Sequence, residues 1–351
     1  MPTLDRPAPT AVPTLLASPE ADGAVRCATC AHRCLVREGR RGICGVRVNR
    51  DGTLWCEAYG EVAAVGIDPI EKKPLFHVDP GSLAYSIATP GCPFHCTFCQ
   101  NWELAMAPRL GLPIARRPMS PVRVVAEARR AGAGSIAYTY VEPTVFLEYS
   151  LDVGRLAREA GMRNLFVTDG YATPEAVERL AEVIDAANVD LKSFDDAFYR
   201  RQCGARLAHV LEAIEAYHAA GVWLELTTLV IPGLNDSDDE LRALTSWIVR
   251  TIGPGTPWHV SRFHPAYRLT DVPPTTPATL LRAAAIGHEA GLEHVYVGNA
   301  PELRLEDTRC PACDLVVVER TGYHARSRLG PDGRCPGCGA VIPGRWGSPG
   351  R

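Results

Sequence analysis

Eleven of the thirteen cysteines fall in three tight groups, and this clustering constrains the chain more than any other feature. Closely spaced thiols in a chain of 351 residues read as metal ligands, not as a disulfide scaffold. The first group is Cys27-x2-Cys30-x3-Cys34-x9-Cys44, with His32 inside it. Its four thiolates suit a closed tetrahedral zinc site, a further iron–sulfur cluster, or free thiols, and the spacing does not decide. The second group, Cys92-x3-Cys96-x2-Cys99, lies in TPGCPFHCTFCQNWE. Three thiolates hold three corners of a [4Fe–4S] cube, and with no fourth cysteine nearby one iron is left open. A zinc knuckle here would need His95 as its fourth ligand. The third group pairs Cys310-Pro-Ala-Cys313 with Cys335-Pro-Gly-Cys338, the spacing of a zinc ribbon or rubredoxin-like knuckle, with zinc the expected metal. Roughly 10–16 kcal/mol of metal binding would supply most of the folding energy of so short a module. Cys56 and Cys203 stand alone and read as packed side chains.

Around the cysteines the chain divides into four zones. Residues 1–25 are rich in proline and alanine and are expected to form a poorly ordered tail that does not resemble a secretory signal. Residues 26–80 form a small cysteine-bearing module, 81–299 a large periodic domain, and 300–351 the ribbon. With 37 basic and 40 acidic residues the net charge is −3, so no bulk field draws the chain towards nucleic acid or a membrane surface. No run of about 18 apolar residues is present to span a bilayer. A reducing cytoplasmic setting is expected.

In the large zone, strand-like runs at 83–89, 135–140, 164–168, 187–191, 222–230, 257–263 and 294–298 alternate with helical patterns. Ser120-Pro121, Thr173-Pro174 and Thr276-Pro277 each place a capping hydroxyl before a proline at the first helical position. Alternation of this kind predicts an α/β fold with a parallel sheet, a partial (βα)6 TIM-like barrel whose chemistry sits at the strand C-termini. The second cysteine group directly follows the first barrel strand. The loop DPIEKKPLFH before that strand concentrates Asp68, Glu71, Lys72, Lys73 and His77, a solvated charged turn or a functional loop of unassigned role.

The Cys92-Cys96-Cys99 spacing, with aromatic Phe98 before the third cysteine, resembles the signature of the radical S-adenosylmethionine (SAM) superfamily. The segments DPIEKKPLFHVDPGS, AYTYVEPTVF, VTDGY, NVDLKSFDDAFYR and VYVGN extend the likeness. They are similar to the radical SAM member of the AmmeMemoRadiSam system, a group related to pyruvate formate-lyase (glycyl radical) activating enzymes. The resemblance implies SAM contacts for Phe98, for Glu142 (in place of a Gly-Gly-Glu stretch, without the two glycines), and for Thr168, Asp169, Asp190 and Lys192. Asp190 and Lys192 also suit a structural ion pair. His264 in SRFHPAY looks like a histidine that reaches SAM, or one that supports its loop.

The function implied is a radical SAM oxidoreductase. Reductive cleavage of SAM at the [4Fe–4S] cluster would give a 5′-deoxyadenosyl radical that abstracts hydrogen from a small-molecule or partner-presented substrate. Two alternatives stand beside it: an activating enzyme for a glycyl radical protein, and a non-catalytic iron–sulfur and zinc carrier or scaffold. The missing fourth cysteine disfavours the carrier, and a nucleic-acid-binding ribbon would need a basic face. A flavodoxin- or ferredoxin-type electron donor and a Memo-type protein partner are the expected partners.

Overall fold

A computed structural model describes residues 11–347. Its central sheet has eight strands: β1 (Ala64–Pro69), β2 (Leu83–Ala88), β3 (Ser135–Tyr138), β4 (Arg163–Thr168), β5 (Ala186–Asp190), β6 (Trp223–Val230), β7 (Trp258–Arg262) and β8 (Val295–Gly298). They lie side by side in reverse chain order, β8 to β1. Strands β2 to β8 are all parallel. Strand β1 adds to the edge antiparallel, with Gly66 opposite Ser86. Six helical crossovers join the seven parallel strands, so the architecture is a partial (βα)6 barrel followed by a last strand. The strands read as continuous apolar runs because helices cover one face and the barrel interior the other; in β3 all four residues are buried.

The crossover helices begin where the sequence marks them. The Ser120 hydroxyl accepts from the Arg123 amide, Thr173 from Ala176, and Thr276 from Thr279, each ahead of a proline at the first turn. Such caps fix each helix start within a residue, and so fix the length of the loop that leaves the preceding strand.

The expected tail over 1–25 needs correction in part. Residues 1–10 lie outside the described residues, but Val12–Pro13 pairs with Thr53–Cys56, and Ala17–Pro19 pairs with Val25–Cys27. Pro13 and Pro19 sit in edge strands, where a missing amide hydrogen removes no ladder bond. The amino-terminal module is tied to the barrel by a buried ion pair. Both guanidinium nitrogens of Arg47 donate to the Glu148 carboxylate, at 2.9 and 3.0 Å, and Glu148 also accepts from the Leu15 amide.

At the other end, a three-stranded sheet (Thr308–Arg309, Val316–Thr321, His324–Ser327) carries the carboxy-terminal module over a small core of Cys310, Val317, Cys335 and Ile342. The module holds the segment that leaves β1. Arg320 donates to the Phe76 carbonyl at 2.7 Å and lies over the Phe76 ring, and the Arg345 amide donates to the His77 carbonyl.

Candidate active site

The loop after β2 carries Cys92, Cys96 and Cys99 into one cavity of about 520 Å³. Two neighbours hold it. The amides of His95 and Thr97 donate to the carbonyls of Cys203 and Gln202, in a π-helical turn at Tyr199–Cys203. Gly204 closes that turn with φ +69°, and a Cβ there would fall on the His95 ring. His95 is exposed and does not line the cavity with the cysteines, so the zinc knuckle has no fourth ligand in place. Burial, the Asp169 charge and Cys96 push the Cys92 thiol well up; burial first of all lifts Cys99 to about 12. Buried thiols in such surroundings stay protonated unless a metal takes the proton's place.

Opposite the cysteines, the ends of β4 and β5 supply charge. Lys192 Nζ sits between Asp169 Oδ1, at 2.8 Å, and Asp190 Oδ2, at 2.7 Å. Burial alone would lower the lysine pKa, but the two carboxylates outweigh it and hold it well above its ordinary value. Two carboxylates against one ammonium leave a net negative charge. Asp169 Oδ2 also lies 3.4 Å from Cys92 Sγ, joining the charged group to the cysteine loop. Phe98 lines the cavity and packs on Phe198.

Glu142 follows β3. It is buried and absent from the cavity wall, and its carboxylate is saturated within the protein. It accepts from the Thr144 amide at 3.0 Å, the Thr168 hydroxyl at 2.8 Å and the Asp169 amide at 2.6 Å. Burial and the Asp169 charge push it up to about 7. Thr139, Tyr140 and Val141 line the cavity at this point, with Tyr140 at φ +65°. The Asn101 side chain donates to its carbonyl at 2.8 Å, steadying a conformation that glycine adopts freely. His264 is exposed at the end of β7 and does not line the cavity.

The charged loop after β1 splits between two jobs. Lys72 and Lys73 line the cavity, both bonded to Asp68, which also accepts from Tyr140 and Ser86. Burial opposes ionisation of Asp68, yet these hydrogen bonds hold its carboxyl well below the usual range. Glu71 and His77 instead face the carboxy-terminal module: Glu71 accepts from the Gly81 amide, and His77 pairs with the Pro343 carbonyl and the Tyr296 hydroxyl. Thr227 within β6, Ser261 near the end of β7 and Asn299 just after β8 also line the wall; each is a single polar residue with no motif to mark it.

In the carboxy-terminal module the four sulfurs of Cys310, Cys313, Cys335 and Cys338 all lie within 4.8 Å of one another, and the group can hold a metal ion.

A family model of the radical SAM superfamily matches residues 86–245, the span from β2 through the helix after β6. The chain belongs to the radical SAM superfamily. An uncharacterized protein of Methanocaldococcus jannaschii is 42% identical over 305 residues, covering 87% of this chain and 90% of that protein. The pyruvate formate-lyase-activating enzyme of Clostridium pasteurianum is 24% identical over 185 residues, covering 52% of this chain and 75% of the enzyme. Among solved structures, Streptococcus suis SuiB bound to S-adenosylmethionine aligns with a TM-score of 0.48 at 14% identity, over 69% of this chain and 56% of that one. Radical SAM membership implies a [4Fe–4S] cluster and SAM. The residues fit both: three soft thiols line the cavity for the cube, with Cys203 in contact with Cys96 but not part of the lining, and paired charges of both signs suit a zwitterionic ligand. Radical SAM enzymes commonly take electrons from flavodoxin or ferredoxin. No helix among the described residues is long and apolar enough to cross a membrane.

Proposed function

We propose that the protein cleaves SAM reductively and uses the product to abstract hydrogen from a small-molecule or partner-presented substrate. The observation that carries this reading is the convergence of Cys92, Cys96 and Cys99 with the Asp169–Lys192–Asp190 group in one cavity. When bound, the cluster and SAM supply a one-electron cleavage of a carbon–sulfur bond. The chain's residues do the rest. Cys92, Cys96 and Cys99 ligate; Asp169 and Asp190 offer negative charge to the ligand's ammonium, and Lys192 offers positive charge to its carboxylate. Glu142 positions Thr168 and Asp169 from behind. At about 520 Å³ the cavity has the size of an ordinary small-molecule site, roughly 300–1,000 Å³. Reconstituted with iron and sulfide without oxygen and then reduced, the protein is expected to turn SAM into methionine and 5′-deoxyadenosine. SAM recovered intact would overturn the proposal.

The sequence likeness to an activating enzyme keeps a second reading, generation of a radical on a partner's glycine. Incubation with candidate partners and electron paramagnetic resonance separates the two: a persistent glycine-centred doublet decides for activation, repeated turnover without one for substrate modification. The quoted motifs support placement in the AmmeMemoRadiSam system with a Memo-type partner. The 3.6 and 3.7 Å sulfur pairs of the ribbon support zinc there. Thirteen cysteines, all free, support a cytoplasmic setting.

A further inference from the structure

The amino-terminal cysteines form a site of their own. Cys27, Cys30, Cys34 and Cys44 line one small cavity of about 10 Å³, together with Arg47 and Thr144. All four are free thiols, two buried and two half-buried. A group that stabilises a thiolate already faces them, since the Ile43 amide donates to Cys34 Sγ, while the Cys27 thiol donates to the Thr29 hydroxyl at 3.5 Å.

The chain's other two cysteine sets calibrate the size of the group that would fit. A zinc ion with bonds of about 2.3 Å to four sulfurs holds those sulfurs about 3.8 Å apart. The ribbon matches, with pairs at 3.6 and 3.7 Å. In a [4Fe–4S] cube the ligating sulfurs stand roughly 6 Å apart, because each is bonded to a different iron. Among the described residues, the ribbon is the only group with three or more ligand atoms mutually within 4.8 Å. The amino-terminal four surround a single cavity, and no three of their sulfurs lie mutually within 4.8 Å, as four zinc-bound sulfurs would. The same is true of Cys92, Cys96 and Cys99.

We propose that Cys27, Cys30, Cys34 and Cys44 hold a second [4Fe–4S] cluster, ligated at all four irons, and not zinc. The radical SAM loop packs directly against this site. His32 Nε2 lies 3.0 Å from the Pro93 carbonyl, and the Arg109 guanidinium donates to the carbonyls of both Ile43 and Cys92. A Cβ on Gly91 would come 2.9 Å from the Cys44 carbonyl oxygen, so the two cysteine segments run in backbone contact. Thr144 lines this cavity while its amide donates to Glu142, which in turn accepts from the Asp169 amide.

The test uses the full chain with Cys92→Ala, Cys96→Ala and Cys99→Ala together, prepared without oxygen and reconstituted with 57Fe and sulfide. About four irons and four sulfides per chain, with the Mössbauer doublet of an oxidised cube, are expected, and about one zinc from the ribbon. An iron-free variant would overturn the proposal, most directly if it carried two zinc ions. Should that variant not fold, the reconstituted wild-type protein decides: about eight irons per chain support the second cube, and about four overturn it. Because the triple variant lacks the SAM-site ligands, its iron content reports on this site whether or not SAM is cleaved by the wild type.

Discussion

Removal of the Glu142 carboxylate should cost stability as well as ligand binding. Its oxygens satisfy the amides of Thr144 and Asp169 and the Thr168 hydroxyl, all in a buried setting. A buried donor left unpaired costs about 1–3 kcal/mol, so Glu142→Ala should lower the unfolding free energy by at least about 2 kcal/mol. SAM affinity should fall too, through loss of the support that fixes Asp169 beside Lys192. Urea unfolding of the cluster-free protein checks the first effect; an unchanged midpoint would show that the carboxylate carries no structural weight. The sequence marked Glu142 by its place after β3, but side-chain direction depends on Tyr140 taking a left-handed backbone turn, and nothing in Tyr-Val-Glu encodes that turn. The cysteines were legible because ligation needs one residue type at fixed spacing. Thr227, Ser261 and Asn299 were not, since a lone polar residue in or just after a strand looks the same inside a site or outside one.

At the scale of elements, the attachment of the amino-terminal module rests on Arg47 and Glu148. Burial raises the Glu148 pKa, but the Arg47 guanidinium more than offsets it and holds the carboxyl below its ordinary value. A depressed folded-state pKa means the stabilisation is complete above about pH 4.3, the unfolded glutamate value, and is lost as pH falls through the folded value. Glu148→Ala strands a buried guanidinium, at a cost of about 3–5 kcal/mol near neutrality. The variant should also lose less stability than the wild type on acidification below about pH 4. Parallel acid titrations of the two proteins would contradict the pairing. Strands and capped helices were readable from their periodicity and from the Ser/Thr-Pro pairs, which act locally. The strands at 12–13 and 17–19 escaped because an edge pairing is decided by the partner strand, not by the Pro/Ala composition of the segment itself.

For the whole molecule, the carboxy-terminal module acts as a clamp on the segment between β1 and β2, through Arg320 on Phe76 and Arg345 on His77. Cys310→Ala with Cys313→Ala should remove one metal per chain and lower the melting temperature, while the iron of the barrel stays bound. Metal analysis beside a melting curve checks both, and loss of all iron would show that the modules do not assemble independently. In the function proposed above, SAM is cleaved at the loop after β2. Its most direct test is 5′-deoxyadenosine formation by wild-type protein and Cys96→Ala, reconstituted and reduced side by side. The account predicts product from the wild type and none above background from the variant, because two remaining thiolates cannot retain the cube. Undiminished 5′-deoxyadenosine from Cys96→Ala would contradict it.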